Sequence, residues 1–557
     1  MAFRTPVGID DFQQLRQQGA TYVDKSAFVR EVMDTAQVLL ITRPRRFGKT
    51  LNLSLLRYFF ERSDEDRAPL FEDLAVWQDA EMRAHFQRYP VVALTLKGVK
   101  AASFEEMIDR VGRLLAEETA RHRELLTSEA VDARDRALLT EVVGGRASAA
   151  TCEEALRSLT RALAAHHGAK VVLLIDEYDA PIERALAGGY FDAAVGFFRN
   201  FLGAGFKGNH HIVKGLLTGV LRIAKESLFS DLNNLAVYTP LSRQFTTAFG
   251  FTEPEVITLA ALAGRSHHLD AIRRWYNGYR FGDDVIYNPW SVLRYLSEPD
   301  QEPHAYWVST GEHSLIDRMF AAGGPGRMAD HMALLRGETI RKRLSDQLAL
   351  RDLFGDEAAI WSLLLFAGYL TGEARFEGDH RSADLRIPNF EVRGVYTSTL
   401  DRWLEPGAGG QGLSEDFIAA LLAGDAEQIE ALLGRIVLYH FSYHDLPANV
   451  GERIYQAFVL GLLVRLERTH IVRSNRETGY GRADVTLRPR DGKGAGVVIE
   501  LKALSPVDRL TPEQALDRAL AQIEARDDAA ELRAEGIDPI HRLAIVFEGK
   551  RVYARAG

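Results

Sequence analysis

A chain of 557 residues, 46% of them hydrophobic, is too long for one ordinary core and able to fill two or three. A formal charge of −9 and a pI near 6.0 exclude a histone-like coat on nucleic acid but not local basic clefts such as RPRR at 43–46 or RKR at 341–343. Cys152 is the single cysteine, which excludes an intrachain disulfide and a cysteine zinc cage; with no apolar run near the about 20 residues of a membrane span and no secretory start in MAFRTPVGIDD, a cytoplasmic protein with no membrane partner is expected.

In chain order, QVLLIT (37–42), PVVALTL (90–96), KVVLLI (170–175) and HIVKGLLT (211–218) are short runs rich in Val, Ile and Leu, separated by helix-like segments. That alternation predicts an α/β core with a parallel sheet covered on both faces, assigned to residues 1–250. TEPEVITLAALAG begins with Thr252 and places Glu255 three residues on, a capping-box start. Helix-like sequence continuing to about residue 320 predicts a helical lid over 251–322. GGPG at 323–326 and EPGAGGQG at 405–412 mark seams around a mostly helical connector, 323–445. The remainder, 446–557, reads as a small α/β module with a helix at 452–467, strands near 469–474, 482–488 and 496–502, a helix near 512–532 and a strand at 541–547.

TRPRRFGKTL, residues 42–51, follows an apolar strand and opens the amphipathic stretch TLNLSLLRYFFE, the context a phosphate loop requires. Gly48 lets the backbone approach phosphates, Lys49 can reach β and γ oxygens, and Thr50 can place its hydroxyl on Mg²⁺. Arg43 stands where the usual loop opens on glycine and Pro44 withdraws a donor, so Arg45 or Arg46 is expected to add a side-chain phosphate contact. KVVLLIDEYDAP then puts Asp176 and Glu177 at a strand end, one to hold the Mg²⁺ shell and the other to orient or deprotonate water. A solvated acidic turn would give the same DEYD; the strand-GKT-helix upstream favours the nucleotide reading. Thr218 ends a third strand, placed to sense a γ-phosphate or attacking water. Arg222 reads as a surface helix arginine, with phosphate sensing as its alternative.

SNRETGYGRADVTLRP followed by GVVIELKALSP carries different chemistry. Asp484 lies sixteen residues (500 minus 484) before Glu500. Glu500 and Lys502 share one face of a strand, since side chains alternate. Converging on Asp484, the two carboxylates could hold Mg²⁺ or Mn²⁺ through oxygen while the lysine positions water, the chemistry of phosphodiester hydrolysis. Gln522 in ALAQIEA is a candidate contact to that water or metal shell, and Glu452, at a helix start, a weaker third carboxylate. A sheet with edge charges is the bland alternative for ELK alone.

Together RPRRFGKTLNLSLL, LIDEYDAPI, LTGVLRIAKESLFSDLNNL, FGFTEPEV, WYNGYRFG with YNPWSV, SNRETGYGRADV, IELK and ALAQIE resemble, in order and over almost the whole chain, bacterial AAA-ATPase-like proteins fused to a PD-(D/E)xK nuclease-superfamily domain. The family loop begins RPRRFGKT, so Arg43 belongs to the pattern. The resemblance implies a P-loop AAA-like ATPase core using ATP at Lys49, Thr50, Asp176 and Glu177, and a restriction-endonuclease-like domain with Asp484, Glu500 and Lys502 as signature residues. Two positions depart: Gln456 stands where the family often has histidine, and an aromatic near the end of the ALxQI helix is replaced within EARDDAAEL. The expected activity is ATP-coupled cleavage of DNA or RNA, in defence or mobile-element biology, with a homo-oligomer among the expected partners. A nucleotide-dependent switch, or a nucleic-acid binder that does not cleave, is the competing reading.

Overall fold

Strands β1 (Val38–Thr42), β2 (Val91–Thr95), β3 (Val171–Asp176), β4 (Ile212–Gly219) and β5 (Leu235–Tyr238) form one sheet in the order β2-β3-β4-β1-β5, parallel at every pairing. VLLIT and VVLLID are buried at every position, as strands covered on both faces must be. The computed structural model describes residues 3–221, 228–229, 234–298, 302–307, 325–345, 356–404, 413–440, 452–463, 466, 469–478, 481–504 and 509–557. The four expected strands are present within a residue or two of their expected limits. The fifth, LAVY, is too short and too half-buried to announce itself. Because β4 lies between β1 and β3, the phosphate loop after β1, the acidic end of β3 and Thr218 on β4 share the carboxyl edge of the sheet, where open α/β sheets bind ligands.

The chain divides into two compact units, Met1–Ser309 with Arg341–Glu391, and Thr310–Ile340 with Val392–Gly557. The sheet lies in the first. There Thr252 and Glu255 form the expected capping box at the helix Glu253–Leu262, and Phe251, Val256, Leu259, Ile272, Tyr276, Tyr287, Val292 and Tyr295 form a core of their own, in a segment that also holds the hairpin β6 (Tyr279–Phe281) and β7 (Asp284–Ile286). The segment expected to be mostly helical carries strands too: β8 (Ile340–Leu344), β9 (Thr371–Glu377) and β10 (His380–Arg386) form a sheet in the order β8-β10-β9. TGEARFE and HRSADLR pair in antiparallel register around Gly378, whose φ of 64 is a conformation glycine adopts without steric cost.

Residues 341–391 join the first unit through named contacts. Arg280 N–H donates to Thr371 Oγ1 at 2.9 Å, and Asn389 Nδ2 to the Asn277 carbonyl at 2.7 Å. Glu391, fully buried, accepts from Ser291 Oγ (2.8 Å to Oε2) and from the N–H groups of Tyr306 and Trp307 at 2.7 Å each.

In the second unit, β11 (His470–Thr478), β12 (Gly481–Pro489), β13 (Gly496–Leu504), β14 (Ile540–Glu548) and β15 (Arg551–Ala556) form a sheet in sequence order. Its one parallel pair, β13 with β14, is joined through the helix Pro512–Ala525, since parallel neighbours need a crossover. Apolar residues of that helix, Ala515, Leu516 and Ala519, pack with Ala544 and Val546 of β14. Helix was expected to run to 532. It stops at Ala525, Asp527 takes a left-handed φ of 53, and a short helix Ala530–Ala534 follows.

Burial pushes the Glu391 carboxyl up to about 7, against about 4.3 in an unfolded chain. Its contribution to stability is therefore complete below the unfolded value and lost as pH rises through about 7. The unfolding free energy of wild type minus that of Glu391→Gln is expected to fall between pH 5 and pH 8 in urea titrations; a difference constant with pH contradicts this.

Candidate functional site

Residues 43–48 leave the carboxyl end of β1 and deliver the helix Lys49–Phe60. Gly48 caps that helix in left-handed backbone, φ 83, which glycine adopts at no steric cost. Arg46 shares the left-handed region at φ 68, its guanidinium 3.8 Å from the centre of the Trp290 ring. Phe47 is buried against Tyr279 and Phe281 of β6, with ring centres 4.9 and 5.2 Å away. Trp307 Nε1 donates to the Arg45 carbonyl at 3.2 Å, and Arg45 pairs with Glu183 at 3.2 Å.

Lys49 is buried, and its Nζ donates to the carbonyls of Arg43 at 3.0 Å and Pro44 at 2.9 Å. Burial holds its pKa below the ordinary lysine value, opposed by Asp176, Asp179 and Glu177. Asp176 accepts from Thr50 Oγ1 at 2.7 Å, from Thr218 Oγ1 and from the Glu177 N–H at 3.0 Å. Glu177 itself has φ 51, and burial, with the Asp176 charge second, raises its carboxyl. Lys49, Thr50, Asp176, Glu177 and Thr218 thus share the sheet edge. A buried lysine at a glycine-capped helix start, beside a carboxylate bridged by two hydroxyls, has the donor set of a Mg²⁺-nucleotide site.

Arg43 has a different task from the phosphate ligands. It is fully buried, its backbone N–H continues the ladder to Gly219 O at 3.1 Å, and its guanidinium donates to the carbonyls of Thr42 and Phe245 at 2.8 Å each. It also lies 5.0 Å from the Phe281 ring centre. Desolvation lowers its pKa to about 9, with Glu31 opposing. The side chain bolts the 238–249 segment onto the base of the loop. Asp179 acts similarly: fully desolvated, it accepts from the N–H groups of Val220 and Leu221 at 2.7 Å, joining the turn after β3 to the end of β4. Arg222 lies outside the described residues.

In the C-terminal sheet, β12 and β13 pair as far as Val485 opposite Ile499. Beyond that pair Asp484 turns its carboxylate to the Leu501 N–H at 2.8 Å, replacing a ladder bond with a side-chain one. Glu500 is buried; its Oε1 accepts from Lys502 Nζ at 2.8 Å and from Gln522 Nε2, with an Arg526 nitrogen 3.9 Å away. Its Oε2 is buried without a hydrogen-bond partner among the described residues. Burial first, then Asp484, pushes Glu500 up to about 7, and burial raises Asp484 as well. Two desolvated carboxylates with an orphan oxygen fit a divalent cation, which would relieve both.

Gln456 Nε2 donates to the Asp484 carbonyl at 3.1 Å, so this departure from the histidine pattern contacts the backbone of a signature residue. Glu452 begins the helix Glu452–Leu462. Sequence reasoning missed Arg526 and Asp528. Asp528 is fully buried and its charge raises the Asp484 pKa. The adjacent acids in EARDDAAEL, where amphipathic helix sequence fails, were the available sign.

Residues 6–229 match the family model for predicted AAA-ATPases, and residues 450–556 match the PD-(D/E)XK nuclease superfamily. The chain joins a predicted AAA-ATPase domain to a PD-(D/E)XK nuclease-superfamily domain. An uncharacterised protein encoded in the vnfD 5' region of Azotobacter chroococcum is 27% identical over 98% of this chain and 96% of its own. A solved structure of a STAND ATPase with a tetratricopeptide-repeat sensor from Pyrococcus horikoshii aligns at 11% identity and TM-score 0.25; it covers 80% of this chain, which spans 54% of that protein. No described helix is long and apolar enough to cross a membrane.

Within the AAA-ATPase domain, Arg43→Ala would orphan buried carbonyls and open a cavity, and is expected to cost about 3 kcal/mol or more of stability in urea unfolding. A loss below about 1 kcal/mol combined with weakened ATP binding would instead make Arg43 a phosphate ligand.

Proposed function

We propose that the chain binds and hydrolyses ATP and uses that cycle to control a metal-dependent nuclease that cuts DNA or RNA. The observation that carries the reading is the buried Glu500 carboxylate, with one oxygen held by Lys502 and Gln522 and the other without a hydrogen-bond partner among the described residues, beside a second desolvated carboxylate, Asp484. A non-catalytic sheet edge has no reason to keep such a group dry.

In the nucleotide domain, Gly48 and the start of the helix Lys49–Phe60 give backbone donors to the phosphates. Lys49 would reach the β and γ oxygens, and Arg46 would add a charged contact. Thr50 and Asp176 would hold Mg²⁺, Glu177 would orient the attacking water, and Thr218 would sense the γ-phosphate through its bond to Asp176. In the nuclease domain, Asp484 and Glu500 would hold Mg²⁺ or Mn²⁺, which would supply Lewis-acid polarisation of the phosphodiester. Lys502 and Gln522 position the attacking water and Lys502 balances the charge developing on phosphate. Water adds to phosphorus, the P–O bond to the leaving sugar oxygen breaks, and that oxygen takes a proton. Defence against foreign nucleic acid, or mobile-element biology, is a setting this pair of activities fits.

Plasmid, linear duplex, single-stranded DNA and RNA incubated with Mg²⁺ or Mn²⁺ test the reading. Metal-dependent cleavage is expected on at least one substrate, reduced roughly 10²–10⁴-fold by Lys502→Ala. Absence of cleavage on all of them with and without ATP, or cleavage indifferent to Lys502→Ala, overturns it.

A further inference from the structure

The long helix Ala149–His167 ends on Gly168, left-handed at φ 61, and its last two residues are both histidines. They meet the 3-10 turn Arg123–Leu126. One ligand atom from each of Glu124, His166 and His167 falls within 4.8 Å of the others, with His167 Nε2 4.0 Å from Glu124 Oε1. None of these residues has a part in the nucleotide or carboxylate sites.

Two further observations bear on the cluster. His166 Nδ1 lies 2.8 Å from Ser128 Oγ, which fixes the ring and leaves Nε2 as its remaining ligand atom, the outer-shell arrangement found around metal-bound imidazoles. His122 places Nδ1 3.8 Å from the same Glu124 Oε1. Its Nε2 is turned to Glu118 Oε1 at 3.8 Å, so Nδ1 is the ring atom it presents to Glu124. The Arg62 guanidinium lies near His167. Arg62 repels a cation here; the Glu124 carboxylate and the carbonyl end of a long helix offset it.

We propose that Glu124, His166 and His167, with His122 beside them, form a zinc site. Imidazole nitrogens with one carboxylate suit Zn²⁺ and other borderline transition ions, whereas Mg²⁺ prefers an all-oxygen shell. Metal–nitrogen bonds of about 2.0–2.1 Å need the donors drawn together by on the order of 1 Å, a movement open to the exposed Glu124 and the half-buried imidazoles. The bound ion would clip the turn at 123–126 to the helix that leads into β3, steadying the strand that carries Asp176.

The test uses the full chain carrying Glu500→Gln, to remove metal binding at the nuclease carboxylates, with and without His167→Ala or Glu124→Gln. Co²⁺ is expected to give the visible bands of a low-coordinate nitrogen and oxygen site, displaced by Zn²⁺, with Zn²⁺ affinity reduced at least roughly tenfold in either second variant. Zn²⁺ is also expected to raise the unfolding temperature of the parent but not of His167→Ala. Equal Zn²⁺ affinity in parent and variants, or no Co²⁺ or Zn²⁺ binding at micromolar concentration, overturns the proposal.

Discussion

The Asp176 carboxylate is the point on which the nucleotide half depends. It sits at the end of a strand buried on both faces and accepts from a hydroxyl on the phosphate-loop helix, a hydroxyl on β4 and the next backbone N–H. Bonds to a charged acceptor contribute about 1.5–3 kcal/mol each, so one side chain registers three elements against one another. That is possible because β4 runs between β1 and β3; neighbouring β1 and β3 would leave Thr218 no place beside the acid. Around this node, Arg43 and Asp179 hold the loop base and the strand ends by filling backbone donors and acceptors that would otherwise be buried and empty.

The C-terminal site applies the opposite physics. Asp176 has its oxygens occupied within the protein, while Glu500 is buried with one oxygen lacking a hydrogen-bond partner among the described residues. The first arrangement prepares a geometry; the second leaves an electrostatic demand for a cation. The β12–β13 ladder opens after Val485 and Ile499, letting Asp484 turn toward β13, and the break at Asp527 brings Asp528 into the interior beside it.

Much of this was legible in the sequence because its carriers are periodic or local. Buried parallel strands read as continuous Val, Ile and Leu runs, Thr252 with Glu255 declares a helix start, and Glu500 with Lys502 share a strand face by alternation alone. What escaped depends on contacts distant in sequence. Arg43 reads only as a departure from the usual glycine until Phe245, some 200 residues on, is seen to receive its guanidinium. Arg46 rests on Trp290, a pairing no local pattern encodes. The β9–β10 hairpin was hidden because its exposed faces carry charge in both registers, and residues 341–391 join the first unit through single hydrogen bonds to Arg280, Asn277 and Ser291.

The central claim is that nucleotide state governs the nuclease. The direct measurement is the metal-dependent cleavage rate as ATP is raised from zero to saturation, in wild type and in Lys49→Ala. A rate that changes with ATP in wild type and stays flat in Lys49→Ala is predicted. Identical rates in the two proteins at saturating ATP would contradict the account and leave two chemistries that share a chain without communicating.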